Sequence, residues 1–216
     1  MRTVEVAKLL ARVYGKGRWA AEEDPLDSLI GTILSQNTSD VNSGRSFASL
    51  KKKFPTWERA ERATSRQIAS AIRGGGLAEI KSRRIKAILS KIKRKTGRLD
   101  LGFLNWMSLR GGYDYLRSYK GVGPKTAACV LLFACRKPVF PVDTHILRIG
   151  KRLGWARPRE SAGAFQERMR GRIPRGWVYS LHINLIAHGR AVCRPRRPKC
   201  GECILDKLCP SAFKIN

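Results

Sequence analysis

The sequence predicts an all-α fold, and three observations predict it. Nearly every patterned stretch of the 216 residues repeats its apolar positions at helical spacing. Helix signals punctuate the chain: Ser, Thr or Asp stands before a periodic run, and Gly or Pro behind it. Strand signals are nearly absent, because no alternating apolar run is bounded by turn dipeptides.

The elements follow in order. Val4 to Tyr14 reads as a first helix, closed by Gly15-Lys-Gly17. Asp24 serves as N-cap and Pro25 takes the first helical position before Leu26–Ser35. Ser39 or Asp40 caps the next helix, which runs to Phe54, where Pro55 stops it. Trp57–Ala63 and Ser65–Ile72 are short helices. Within Lys81–Lys95, an apolar stripe of Ile80, Ile85, Ile88, Leu89 and Ile92 faces away from the cations. Further helices are expected at Leu101–Met107, Gly112–Ser118, Lys125–Cys135, Thr144–Leu153, Ser161–Ile173 and Val178–Gly189. No internal repeat or low-complexity linker interrupts them.

Lys and Arg number 44 against 16 Asp and Glu, a formal charge of +28, on a chain that is 43% hydrophobic. That is the composition of a folded body, and one so charged repels itself unless a polyanion screens it. The basic residues lie inside patterned segments rather than in tails, which points to nucleic acid as the partner. The longest apolar run, Ala127 to Cys135, ends at Arg136, well short of the ~18 residues of a membrane span. Charges among the first eight residues break the apolar stretch that a signal peptide needs. A membrane or secreted protein is therefore not expected. The expected location is the cytoplasm, on the nucleoid in a prokaryote.

Three places carry chemistry. Four of the six cysteines, Cys193, Cys200, Cys203 and Cys209, form a C-x6-C-x2-C-x5-C run. Disulfides are disfavoured without an export signal, and four chance thiols at this density are improbable. Zinc and an iron–sulfur cluster both take four thiolates. A single C-x2-C with long, unequal flanks favours the cubane cluster. Cys129 and Cys135 fall in an apolar helix and read as buried thiols. Between the first two ligands lies Arg194-Pro-Arg-Arg-Pro-Lys199, with Arg194, Arg196, Arg197 and Lys199 as its cations. It is either a solvated basic loop or a phosphate contact. Ordering cations on a short closed loop is costly unless an anion uses them, which favours the second.

The second place is Tyr115–Ala128, in which Gly121-Val122-Gly123 joins two helices and Pro124 takes the first turn of the second. Glycines there let backbone approach a phosphate, with helix N-terminal amides facing it, although an ordinary helix–helix turn explains a lone G-x-G equally well. Lys125 shifts the balance. In the first turn of a helix the dipole disfavours an ammonium and favours the nucleophilic neutral amine; the plainer reading is a surface lysine on phosphate. The third place is the Pro-containing turn of Lys137–Arg148, which delivers Asp143 to a helix start. A plain N-cap is the better local reading of Asp143, and it is compatible with stabilising positive charge nearby.

These segments, in this order, resemble the endonuclease III family of DNA glycosylases, the helix–hairpin–helix, Gly/Pro-rich loop, Asp superfamily. The matching elements are Lys120-Gly-Val-Gly-Pro-Lys-Thr-Ala127, Val142-Asp-Thr-His145, His188-Gly-Arg190 with the cysteine run, and Thr32-Ile-Leu-Ser-Gln-Asn-Thr-Ser-Asp40. The resemblance covers nearly the whole chain. It implies two helical domains flanking a DNA-binding cleft: a six-helix barrel with the hairpin over residues 25–136, and a cluster domain from residues 1–24 with 137–216. By resemblance the cofactor is a 4Fe-4S cluster on the four cysteines. Lys125 is the catalytic nucleophile and Asp143 its partner carboxylate. Leu77 matches the wedge that enters the duplex, and Asn37, or its neighbour Gln36, the residue that fills the gap left by the extruded base. Ser35, Asp40 and His145 fall where the family lines its base pocket, and Gly121, Val122 and Gly123 where it holds DNA.

The chain departs from the family in places. Pro124 replaces the arginine usual before the lysine, and the stretch Leu101–Tyr119 is longer than in the simplest members. With Gln36-Asn37, Ser39-Asp40 and Phe140-Pro-Val-Asp143, that stretch looks similar to the plant 5-methylcytosine glycosylases, which carry Asn where this chain has His145. The implied activity is removal of a damaged, oxidised pyrimidine from double-stranded DNA, then β-elimination at the abasic site through a lysine Schiff base, by a monomer. Alternatives are a glycosylase for G:T or G:U mismatches or for 5-methylcytosine, and a non-catalytic DNA-binding module. A water-using enzyme has no need of an amine at Lys125, and a binding module has no need of both Lys125 and Asp143.

Overall fold

Capping side chains set where the helices begin. In a computed structural model that describes residues 2–17, 19 and 23–215, every regular element is helical. Helix α1 (Thr3–Tyr14) ends on Gly15 at φ 81°. Helix α2 (Pro25–Leu34) opens with the Asp24 carboxylate accepting from the amides of Leu26 and Asp27 at 2.9 and 2.8 Å. Ser39, not Asp40, caps α3 (Asp40–Lys53). Helix α4 (Trp57–Arg62) starts on Thr56, and α5 (Ser65–Ala71) on a reciprocal capping box of Thr64 and Gln67. Then come α6 (Ala78–Thr96), α7 (Leu109–Arg117), α8 (Pro124–Phe133), α9 (Thr144–Arg152), α10 (Ala162–Met169) and α11 (Arg175–Ala191).

Three expectations need correction. The helix expected at Leu101–Met107 is only a 3-10 turn, Gly102–Asn105. The Asp100 carboxylate takes the Gly102 amide at 2.6 Å and Ser108 already caps α7, leaving too few residues to repay helix nucleation. Trp106 beside that turn is 90% exposed. In α6 the stripe holds at Ile85, Ile88, Leu89 and Ile92, but Ile80 is 48% exposed and Lys81 is buried. Helix α6 starts at Ala78, earlier than expected, so its first turn reaches beyond the apolar core to a loop that needs donors. Cys129 is buried as expected, whereas Cys135, past the end of α8, is partly exposed.

The chain divides into two compact units, Glu22–Cys135 and Met1–Ala21 with Arg136–Asn216. In the first, α2 packs on α3, α6 and α8, α5 on α6, and α7 on α8. Leu26, Leu29, Ile30, Ile33 and Leu89 form its centre, and Ala127–Leu132 of α8 is buried all round. In the second, α1 and α9 pack on α11, with Val6, Leu10, Leu181 and Leu185 between them, and α10 packs on α9.

One residue breaks two rules of this fold. Leu77, the N-cap of α6, sits in the left-handed region at φ 53°, ψ 34°, and is 49% exposed. An L-residue there costs about 1–2 kcal/mol, a cost glycine escapes. Leu77→Gly is therefore expected to be more stable than Leu77→Ala by about 1 kcal/mol, reversing the usual order. The urea midpoints of the two variants measure it; a more stable alanine variant would mean that the backbone is not strained.

Candidate functional site

In the first unit the hairpin that precedes Lys125 is pinned from several sides. Val122 is buried, and its amide donates to the Tyr119 carbonyl at 3.1 Å. Tyr119 is buried too, and its hydroxyl donates to that of Tyr115 at 2.7 Å. Gly121 has φ 87°, and the Arg84 side chain occupies the place where a Cβ would stand, so only glycine fits. Arg84 donates in turn to Oε1 of Gln36. Nε2 of Gln36 donates to the Gly121 carbonyl at 3.4 Å and to Oγ1 of Thr126 at 3.2 Å. Pro124 opens α8, and Lys125 follows as an exposed residue between this anchored loop and buried Thr126.

Gln36 is thereby committed inside the fold, and of the two gap-filling candidates Asn37 is the exposed one, at φ 54°. Asparagine tolerates that left-handed geometry better than most residues. Ser35 is half-buried with its hydroxyl turned back to the Thr32 carbonyl at 2.9 Å, and Asp40 is exposed in the first turn of α3.

The second unit holds Asp143 at the start of α9, where Oδ1 accepts from the Ile146 amide at 2.8 Å. The turn before it is fixed by the burial of Val139, Phe140 and Val142. Two polar ties add to this: the Val142 amide donates to Gln166 Oε1 at 3.1 Å, and Nδ1 of buried His182 meets the Pro141 carbonyl at 3.0 Å. A carbonyl only accepts, so Nδ1 of His182 carries the proton. Asp143 is thus both the plain cap and a carboxylate with a fixed place. His145 lies against Gly189 of α11, and Arg148 donates to its Nδ1 at 3.1 Å. Arg148 also donates to the Gly189 and Cys193 carbonyls, at 2.8 and 3.0 Å, so it links His145 to the cysteine loop.

Cys193, Cys200, Cys203 and Cys209 line one cavity of about 320 Å³, part of it open to solvent. Among the described residues, no three His, Cys, Asp or Glu side chains stand close enough to hold a single metal ion. Four thiols lining one cavity are a donor set that a zinc ion or an iron–sulfur cluster can take. The surroundings suit thiolates. Arg152 donates to Sγ of Cys193 at 3.1 Å, and Nε2 of His188 lies 3.4 Å from Sγ of Cys203. Burial pushes His188 down to about 4, so its ring is neutral. Facing a thiolate, Nε2 must hold the proton, which leaves Nδ1 to accept from the Tyr14 hydroxyl at 3.2 Å. Burial pushes the Cys203 thiol up to about 11, and the charges of Cys193, Cys209 and Cys200 push the same way, so a cation beside this sulfur would favour its thiolate.

The basic loop is fastened as well. Arg152 donates to the Arg194 and Pro195 carbonyls at 2.7 and 3.0 Å, which leaves Arg194, Arg196 and Arg197 exposed. Lys199 is exposed but paired with Glu202 at 2.9 Å. Residues that reading the sequence missed share one trait: Arg84, Arg148, Arg152 and Gln166 act by holding backbone or other side chains, and nothing in local spacing marks a residue for that.

Residues 30–175 match the family model of the HhH-GPD superfamily of base excision DNA repair proteins. A protein of Arabidopsis thaliana that bears a DNA glycosylase name is 42% identical over 169 residues, 78% of this chain, and this chain spans 58% of that protein's length. Endonuclease III of Sulfolobus acidocaldarius is 36% identical over 187 residues, 84% of this chain and 80% of that one. A trapped covalent intermediate of Endonuclease III with DNA superposes with a TM-score of 0.82 at 25% identity, covering 99% of this chain and 98% of that one. With its hairpin, its helix-capping Asp143 and a fold shared over that whole length, the chain belongs to the HhH-GPD superfamily of base excision DNA repair glycosylases, in the endonuclease III family.

Proposed function

We propose that this chain is a bifunctional glycosylase and abasic-site lyase that removes oxidised pyrimidines from duplex DNA. The observation that carries the reading is Lys125, an exposed amine on the first turn of α8 behind a hairpin fastened by Gln36 and Val122. Likeness to an Endonuclease III captured in covalent bond with DNA supports an amine that bonds the sugar.

Extruding a stacked base costs a few kcal/mol, less for a damaged one, and Leu77 and Asn37 would offset it by filling the stack. Asp143 stabilises positive charge on the sugar as the glycosidic bond breaks and assists deprotonation of the Lys125 amine. Nζ bonds to C1′ while the base leaves with the bonding electrons and gains a proton. Ring opening gives the imine, which acidifies the C2′ proton. Loss of that proton breaks the C3′–O bond and expels the 3′ phosphate, and water then releases the lysine. The amides of Gly121 and Gly123 and the cations of Arg194–Lys199 contact phosphate. Cys193, Cys200, Cys203 and Cys209 would hold a 4Fe-4S cluster. When bound, it supplies a four-point anchor for that loop.

The wild type is expected to nick an abasic-site duplex, and to crosslink to it under borohydride. Lys125→Ala should bind the same duplex and lose both. Asp143→Asn should slow base release more than cleavage of a preformed abasic site, where no base has to leave. The base is read from duplexes carrying oxidised pyrimidines, uracil, G:T mismatches or 5-methylcytosine. Base release without trapping would make the enzyme water-using.

Protein purified anaerobically should be yellow-brown, absorb near ~400 nm and hold about four irons per chain. Stoichiometric zinc without iron would contradict the cluster.

Affinity for undamaged duplex should fall with salt at a log–log slope of about −0.9 per phosphate contact. Replacing Arg194, Arg196 and Arg197 together by alanine should flatten that slope. An unchanged slope would show that the loop makes no phosphate contact.

A further inference from the structure

Lys81 is 2% exposed, a degree of burial lysine seldom tolerates. It lies near the start of α6, where the helix dipole repels a cation, and burial followed by the Arg84 charge pushes its ammonium down from the ordinary lysine range. Two carbonyls offset these influences. Nζ donates to the Leu34 carbonyl at 2.7 Å and to the Gly75 carbonyl at 2.9 Å. Leu34 ends α2, where the last carbonyls lack partners within the helix and carry the negative end of the dipole. Gly75 closes the 3-10 turn Arg73–Gly75 and is buried so tightly on Ser46 of α3 that a Cβ would strike Oγ.

Each carbonyl leads into a loop that carries an exposed side chain on left-handed backbone. Asn37, at φ 54°, follows Leu34 by three residues, and Leu77, at φ 53°, follows Gly75 by two. Where such a residue points is set by the peptides before it, and one ammonium holds both sets.

We propose that Lys81 is a positioning residue that keeps Leu77 and Asn37 at a fixed spacing, so that wedge and gap-filler enter the duplex as one unit. The inference rests on the assignment of those two side chains made under the proposed function. It adds that neither works at full effect without the shared tie, and it makes a buried residue with no access to DNA a determinant of intrusion.

The test uses the whole protein and a duplex bearing a tetrahydrofuran abasic analogue with 2-aminopurine in the opposite strand beside the site. Intrusion unstacks the 2-aminopurine and raises its fluorescence, independently of any chemistry. At saturating protein the wild type should give the full rise. Lys81→Met should bind with affinity within about threefold, because phosphate contacts are untouched, yet lose more than about half of the rise. Lys81→Gln, which keeps N–H donors on a shorter stem, should recover part of it, and it decides the matter if Lys81→Met does not fold. Added to Leu77→Ala and Asn37→Ala together, Lys81→Met should change the signal no further. A full rise from a folded Lys81→Met, or an undiminished further loss in the Leu77→Ala, Asn37→Ala background, overturns the inference. If Leu77→Ala and Asn37→Ala leave the rise intact, the wedge assignment itself is wrong, and the inference falls with it.

Discussion

Three segments of the first unit, Ser35–Thr38, Arg73–Leu77 and Tyr119–Gly123, lack the internal hydrogen-bond ladder of a helix, and buried backbone groups cannot be left unpaired. The side-chain amide of Gln36 meets part of this at one point. It accepts from Arg84 and donates both to the Gly121 carbonyl and to Thr126, so it joins the end of α2, the middle of α6 and the hairpin before α8. Each bond contributes about 0.5–1.5 kcal/mol net, a modest sum, but breaking one strands a buried partner at greater cost. Such asymmetry makes the arrangement all-or-none. Lys125 owes its fixed backbone to it, since the residues on both sides of its turn are ends of that network.

The second unit solves a related problem with cations. Arg148 and Arg152 project from α9 and fasten the carbonyls of Gly189, Cys193, Arg194 and Pro195. A loop held through its backbone keeps its own guanidinium groups turned to solvent, and Arg194, Arg196 and Arg197 are exposed. The excess of basic residues thus divides into cations that build the protein and cations left for a polyanion. Burial pushes Arg148 down from its ordinary value while the Cys193 charge opposes that, as befits a structural cation.

Much of the fold was legible because helix starts are local chemistry. Asp24-Pro25 and Ser39 each act within a few residues of the helix they open, and both are present as caps. The stretch Leu101–Met107 misled because apolar residues at helical spacing say nothing about whether a neighbouring cap, here Ser108, has already claimed the chain. Lys81 and Ile80 misled for a related reason. Periodicity assigns cations outward and isoleucines inward, and only the partner loops reverse them. At the site, motif spacing marked candidates that face outward, such as Lys125, or that share one loop, such as the four cysteines, and resemblance alone marked Leu77. Spacing could not find Gln166, whose partner lies 24 residues away.

The central claim is that the amine of Lys125 bonds the sugar. The most direct measurement is to reduce the complex with an abasic-site duplex, digest both protein and DNA, and locate the sugar remnant by mass spectrometry. The account predicts the remnant on Lys125 alone, in the peptide that begins after Lys120 and runs on through Lys125 because modification blocks cleavage there. A remnant on Lys120, or at the chain's N-terminal amine, would contradict it.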